Sequence, residues 1–285
     1  MDGDLETTYV PTIIHVESVD CYSIRIMVEI LSDFCNTPTL KFTPDEFRIT
    51  ESNAKDCILM DYVIYGEWLK AYIFDLKNGN NQAVETYPFK VNAEDFLGAI
   101  KGTEGKKAPL IFNVDIDNDG SNKGLYVNMI SGNEYVKTFG FQDPIIEFRD
   151  VFEIDYAGCR PSTKVSSAAF SQMITRFKTR KCTLIKFVLC KDGKIFLQGL
   201  KNNQIISSNY LDDAGDNGTP VAEQVIHNIR VNLADSIWLA KLKTLAPASV
   251  VQVYLKMTTP LVIRAHIGTQ GLAIYTFRDD PHVSK

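Results

Sequence analysis

The sequence predicts an α+β fold made of two domains. Each is assembled from two β-α-β-β-β repeats whose helices lie on one face of antiparallel sheets. Three observations carry that expectation. Alternating apolar and polar residues, the mark of half-buried strands, dominate the chain. Four amphipathic helical segments interrupt them, each preceded by a short apolar strand. The last valines of those strands, Val16, Val91, Val165 and Val231, follow one another at intervals of 75, 74 and 66 residues, and near-equal spacing of this kind is the signature of a repeated unit.

In chain order, Thr12 to Val16 leads into a helix over about Asp20 to Phe34, and Phe89 to Val91 into one over about Ala93 to Lys101. Thr163 to Val165 leads into the third, about Ser167 to Thr179. There Phe170, Met173, Ile174 and Phe177 fall at i, i+3, i+4 and i+7 and form one apolar stripe. Ser166 and Ser167 suit its start, because a hydroxyl there accepts from an otherwise unpaired backbone N–H. Ile229 to Val231 leads into the fourth, about Ala234 to Leu245, with Leu233, Ile237, Leu242 and Leu245 as core contacts and Pro247 ending it. Strand segments follow each helix, as in Phe187 to Cys190, the turn Lys191-Asp192-Gly193-Lys194, and Ile195 to Leu197. Between the second and third units, Asp143 to Ser162 has neither turn signal nor helical stripe, and interleaves Ile145, Phe148, Phe152 and Ile154 with acids. It divides the chain into an N-terminal domain, 1–142, a connector, 143–162, and a C-terminal domain, 163–285.

Composition narrows the function. The chain of 285 residues is 45% hydrophobic and 23% charged, as expected of a globular protein with a sizeable core. No apolar run approaches the roughly 18 to 20 residues of a membrane span. Met1 to Pro11 is acidic and polar, unlike a signal or transit peptide. The expectation is a protein of the nucleus, or of a cytoplasmic or viral replication compartment, neither secreted nor membrane-bound. Six cysteines without C-x-x-C pairing read as free buried thiols, and four histidines stand at no metal-ligand spacing, so no metal and no cofactor is expected.

Net charge is −5, which argues against a general nucleic-acid binder unless the cations are segregated. They are. The third helix carries Arg176 and Lys178, with Arg180 and Lys181 just beyond, and the fourth carries Lys241 and Lys243. The first half adds Arg25, Lys101, Lys106 and Lys107, while acids gather in the connector and in loops such as Asp212 to Asp216. Two readings stay open. These cations complement helix C-terminal dipoles, or they form a surface that meets the phosphates of double-stranded DNA. Neither a helix-turn-helix nor an aromatic stacking platform accompanies them, so DNA contact of this kind would be independent of sequence.

No motif promotes an enzyme: there is no P-loop, no G-x-S-x-G, no dinucleotide fingerprint and no H-E-x-x-H. Asp115 to Gly120 opens like an EF-hand loop, but its twelfth position is Tyr126 where a bidentate Glu is needed. Its flanks read as strands, so a hairpin turn is expected there.

The final segment, from Val231-Asn232 to Phe277, contains Val250-Val251-Gln252-Val253-Tyr254-Leu255-Lys256-Met257, then Thr259-Pro260-Leu261-Val262-Ile263, then Gly271-Leu272-Ala273-Ile274-Tyr275-Thr276-Phe277. It resembles the DNA sliding clamp family, in its proliferating cell nuclear antigen branch with archaeal and large-virus relatives. Phe170, Gly193 to Phe196 and Gly199 are similar to the start of the family's second domain, and Phe47 to Ser52, Ile58 to Val63 and Tyr72 to its first. The resemblance covers nearly the whole chain and is most specific in the last 60 residues.

That resemblance implies a non-enzymatic homotrimer, a head-to-tail ring of six domains with helices lining a hole for duplex DNA. Subunits would pair through strands near Leu125 to Met129 and Ile205 to Tyr210, which removes exposed edges. A DNA polymerase and other clients would dock by a short apolar helical turn in a groove lined by Cys57, Leu59, Phe152, Ile154 and Pro260. For Phe152 and Ile154, packing onto their own domain is the open alternative. A clamp loader ATPase would open the ring. Four features depart from the family: Glu51-Ser52 replaces its methionine-aspartate pair, Arg278-Asp279 its alanine-proline contact, and the N-terminal extension and the Lys123 loop are unmatched. Two other functions remain open, a clamp-fold processivity factor that forms no ring, and a transcription or scaffold factor that keeps the fold for protein contacts alone.

Overall fold

A computed structural model describes residues 12–53, 57–75, 83, 85–101, 110–116, 123–131, 134–135, 161–212, 217–257 and 259–278. The connector lies outside these, apart from its last two residues, as do Lys106 and Lys107. The elements run β1 (Thr12–Ser18), α1 (Cys21–Phe34), β2 (Thr39–Phe42), β3 (Glu46–Ser52), β4 (Ile58–Tyr65), β5 (Ala71–Phe74), β6 (Tyr87–Lys90), α2 (Ala93–Lys101), β7 (Leu110–Ile116), β8 (Lys123–Ser131) and β9 (Glu134–Tyr135). They continue with β10 (Thr163–Ser166), α3 (Ser167–Thr179), β11 (Leu184–Cys190), β12 (Ile195–Lys201), β13 (Gln204–Tyr210), β14 (Val225–Asn232), α4 (Leu233–Ser236), a 3-10 stretch (Ile237–Lys241), α5 (Leu242–Leu245), β15 (Val250–Tyr254), β16 (Leu261–Ile267) and β17 (Gly271–Phe277).

Four units of strand, helix and three strands are therefore present, with β5 as an addition. Each helical segment starts on a short polar side chain that accepts backbone N–H groups. Asp20 accepts from Ser23, Asn92 from Glu94 and Asp95, Ser166 from Ala169, and Asn232 from Ala234. Caps of this kind satisfy donors that the first turn leaves unpaired. Inside the helices the apolar spacing decides the buried face: Cys21, Ile24, Met27, Val28 and Leu31 on α1, and Phe170, Met173, Ile174 and Phe177 on α3, are all buried.

The strands exchange between units. The strand leading into α1 pairs with β7 of the second unit, while β6, which leads into α2, pairs with β2 of the first. The third and fourth units repeat the exchange, β10 with β15 and β14 with β11. Three antiparallel sheets result, ordered β5-β1-β7-β8-β9, β10-β15-β16-β17-β4-β3-β2-β6, and β13-β12-β11-β14. The eight-stranded sheet joins the two halves of the chain at the β17–β4 seam, in register from Gly271–Ile64 to Phe277–Ile58. Gly271 is required there, since a Cβ would stand 2.2 Å from the Val63 carbonyl oxygen.

The helices form a row over these sheets: α2 packs on α1, α1 on the fourth helical segment, and that segment on α3. One core cluster runs beneath them, from Ile14 on β1 to Phe277 on β17. The fourth helix departs from the sequence expectation, for it is not continuous. It breaks at Ile237–Lys241 into a 3-10 stretch, where the Trp238 indole donates back to the Asp235 carbonyl at 2.9 Å. Trp238 is 2% exposed. It packs 4.5 Å from the Tyr275 ring, 6.2 Å from Phe277 and 6.3 Å from Phe34. Seating so large a ring over the seam outweighs the regular i→i−4 bonding that apolar spacing alone would suggest. The strands expected to flank the Asp115 turn pair antiparallel, with Asp115 opposite Gly124 and Ile116 opposite Lys123, while residues 117–122 lie outside the described residues. Among the described residues no helix is long and apolar enough to cross a membrane, and no cluster of His, Cys, Asp and Glu could hold a metal.

Candidate functional site

Of the charges singled out in the sequence, the helix row carries Arg25, Lys101, Arg176, Lys178, Lys241 and Lys243, and their partners separate them into classes. Arg176 and Lys178 are exposed on α3, a helix without an acidic residue, and neither has an ion partner among the described residues. Lys181, just beyond, is exposed with a left-handed backbone, φ 56°. Lys243 is exposed at the last turn of the fourth segment. Arg25 differs: its Nε donates to the Glu29 carboxylate at 3.1 Å, and its guanidinium lies 6.0 Å from the Tyr22 ring centre. Lys241 differs too, with its ammonium 2.7 Å from the Asp33 carboxylate and 3.5 Å from the Glu29 carbonyl oxygen. That pair ties α1 to the fourth segment, so it bridges the two halves of the chain.

Lys101 is exposed at the end of α2, whose first turn carries Glu94 and Asp95. The charge of the row is therefore uneven. On α1 and α2, Arg25 and Lys101 share their helices with Glu29, Asp33, Glu94 and Asp95, whereas the charged residues of α3 are all cationic. Arg180 leaves the row altogether, and its guanidinium donates to the Ile206 carbonyl on β13 at 3.3 Å.

The second surface is the face of the eight-stranded sheet turned away from the helices. On β4, Ile58, Met60, Tyr62 and Ile64 belong to the core, so Leu59, Asp61 and Val63 point the other way. Register extends Leu59 into a row: Ser52, Leu59, Thr276, Val262 and Tyr254 are successive cross-strand neighbours over the seam. Pro260 is half-buried in the turn just before β16. Of the groove residues expected from the sequence, Leu59 is found on this side of the sheet. Cys57 belongs instead to the core cluster, while its amide donates to the Asn53 side chain and its carbonyl accepts from Arg278. Phe152 and Ile154 lie outside the described residues.

Sequence reasoning missed Tyr254, Val262 and Thr276 on this face, where all three are buried and only Ser52 and Leu59 of the row are half-buried. Their signal was the alternation along β15, β16 and β17, whose odd-numbered members (Val253, Ile263, Tyr275) supply the core. It also missed the neighbouring polar network. Arg48 meets Asp61 through two bonds of 2.8 and 2.6 Å, and Thr50 donates to the same carboxylate at 2.9 Å, a bidentate arrangement that fixes both side chains. Beside it, burial raises the Glu46 carboxyl above its ordinary value, although Arg48 pulls it down. Cys35 is pushed up to about 12 by burial, with the Glu51 carboxylate adding to it, so this thiol is held protonated and unreactive.

No protein-family profile matches the sequence, and no curated protein matches it. Solved structures do share the fold. Proliferating cellular nuclear antigen from Entamoeba histolytica superposes with a TM-score of 0.70 at 14% identity, covering 95% of this chain and 100% of that one. The PCNA2-PCNA3 complex from Sulfolobus tokodaii gives 0.67 at 17% identity, covering 92% and 98%. The chain thus has the clamp fold of these nuclear antigens, α+β with antiparallel sheets and few helices.

Proposed function

We propose, from a fold shared with the nuclear antigens over nearly its whole length, that this chain is a DNA sliding clamp. It is a non-enzymatic subunit of a closed homotrimer that encircles duplex DNA and tethers a polymerase and other clients. The domain limits near 142 and 163 belong to the same proposal. The observation that carries it is the continuous helix row, presenting on α3 a cationic face without acid partners in a chain of net charge −5. A lining of that kind faces phosphates without reading bases.

The mechanism is topological. A closed ring is retained because DNA passes through it, so each phosphate contact can be weak and the ring can slide. Polymerase bound to the Leu59 side of the sheet is kept at high effective concentration near the primer end, which gives processivity. Ring opening is assigned to a separate loader ATPase, since the chain carries no nucleotide motif.

Retention on DNA tests the reading. Protein loaded onto nicked circular duplex should co-elute with it after a high-salt wash and be released when the circle is cut. Light scattering should give a mass near three times 32.0 kDa. Equal loss from circular and linear DNA would refute encirclement. A clamp-fold processivity factor that forms no ring is the second reading, favoured by the outer edge of β13, whose Ile206 and Ser208 carbonyls are occupied by Arg180 and Gly218.

A further inference from the structure

β13 is the outermost strand of its four-stranded sheet, and such a strand normally offers a row of unpaired backbone groups. Here that row is partly filled. At the bulge opposite Gly199 and Leu200, the Ile206 carbonyl accepts from the Arg180 guanidinium at 3.3 Å. Two residues on, the Ser208 carbonyl accepts from the Gly218 amide at 3.1 Å. Asn209 and Asn217 form an antiparallel bridge, reinforced by a side-chain bond from Asn209 Nδ2 to Asn217 Oδ1 of 3.0 Å. Residues 217 and 218 therefore occupy the place, roughly 4.8 Å out, where the next strand of the sheet would lie. Gly218 lets them lie flat, for a Cβ there would stand 2.4 Å from Tyr210 Cε2. Beside them a hollow of about 450 Å³ is lined by Arg180, Ile205, Ile206 and Thr219, and the two isoleucines remain 50% and 39% exposed.

We infer that Arg180 and the 217–218 strap cap the β13 edge, and that this cap must be released before a strand from a second copy of the chain pairs there. The inference rests on the ring reading and deepens it, because assembly becomes a competition between an internal strap and a neighbouring subunit. The same carbonyls serve both, and the strap stands in the space of the incoming strand. The exposed side chains of Ile205 and Ile206 offer a first contact.

Two variants weaken the cap from different sides. Gly218→Pro removes the donor to Ser208 and drives a ring into Tyr210, and Arg180→Ala removes the donor to Ile206. Losing one such bond from the unassembled state should lower the concentration for half-assembly roughly tenfold, read by sedimentation velocity. Hydrogen exchange on the unmodified protein gives a second readout. The Gly218 amide, bonded to the Ser208 carbonyl, should exchange slowly in the dilute subunit and faster on assembly, while the Ile206 amide on the same outer edge slows down. Assembly with the Gly218 amide still protected, or at the same concentration in all three proteins, overturns the cap and leaves the ring standing. No assembly by any of the three refutes the ring, and the cap's role in assembly with it.

Discussion

The division of helix cations by their partners has a measurable consequence. Arg176 and Lys178 are exposed without acid partners among the described residues, while Arg25 and Lys241 are held by Glu29 and Asp33 at 3.1 and 2.7 Å. Each phosphate contact contributes about 0.9 to the slope of log K against log salt for duplex DNA. If one subunit's Arg176 and Lys178 both touch phosphate, replacing them with alanine should lower that slope by about 1.8. Between about 50 and 200 mM salt, the variant's affinity would then fall roughly twelvefold less than that of the unmodified protein. Replacing Arg25 and Lys241 should change the slope by less than about 0.5, since their charges are already compensated within 4 Å and release few counterions on binding. Fluorescence anisotropy of a labelled duplex across a salt series measures both. Equal slope changes in the two double variants, or a larger one from Arg25 and Lys241, would refute the argument that α3 supplies the phosphate contacts.

Trp238→Ala should cost about 3–5 kcal/mol, the range for a fully packed ring, and lower the Tm by roughly 10 °C. Trp68→Ala, at a site 40% exposed beside Tyr65, should cost about 1 kcal/mol or less; equal shifts in circular-dichroism melts would contradict the seam packing. Two glycines give opposite signs in urea unfolding. Gly271→Ala should destabilise by about 1–3 kcal/mol because backbone on both sides of the seam must shift, whereas Gly98→Ala should stabilise by about 0.5–1 kcal/mol, as nothing lies within 4 Å of the new methyl group on α2. Alkali should weaken the fold through Cys35. Its folded-state pKa is raised, so its contribution is complete below the ordinary thiol value of 9.0 and is lost as pH climbs towards about 12. Cys35→Ala should flatten the pH dependence of the urea midpoint just above pH 9, and an unchanged curve there would exclude that thiol as the source.

By itself the sequence determined what is local. The four helix starts were legible because capping and 3.6-residue spacing act within one turn: α1, α2 and α3 begin and end within a residue of the ranges read from Asp20, Ala93 and Ser167. The repeat, the strand–turn–strand units and the clustering of cations on α3 needed only order along the chain. Tertiary structure decided everything that depends on distant partners. The exchange of β1, β6, β10 and β14 between units, and the β17–β4 seam, join residues up to 219 apart, as the Ile58–Phe277 pair shows, and no local propensity encodes such a pairing. Packing of Trp238 over that seam broke a helix that periodicity drew as continuous. Which lysines and arginines are compensated was likewise invisible, because Asp33 meets Lys241 from 208 residues away, and Arg180 turns to an edge strand rather than staying in the helix row. Charge can be counted along a sequence, but whether a charge is paired is set by geometry, since Coulomb attraction depends on separation in space and on the water between.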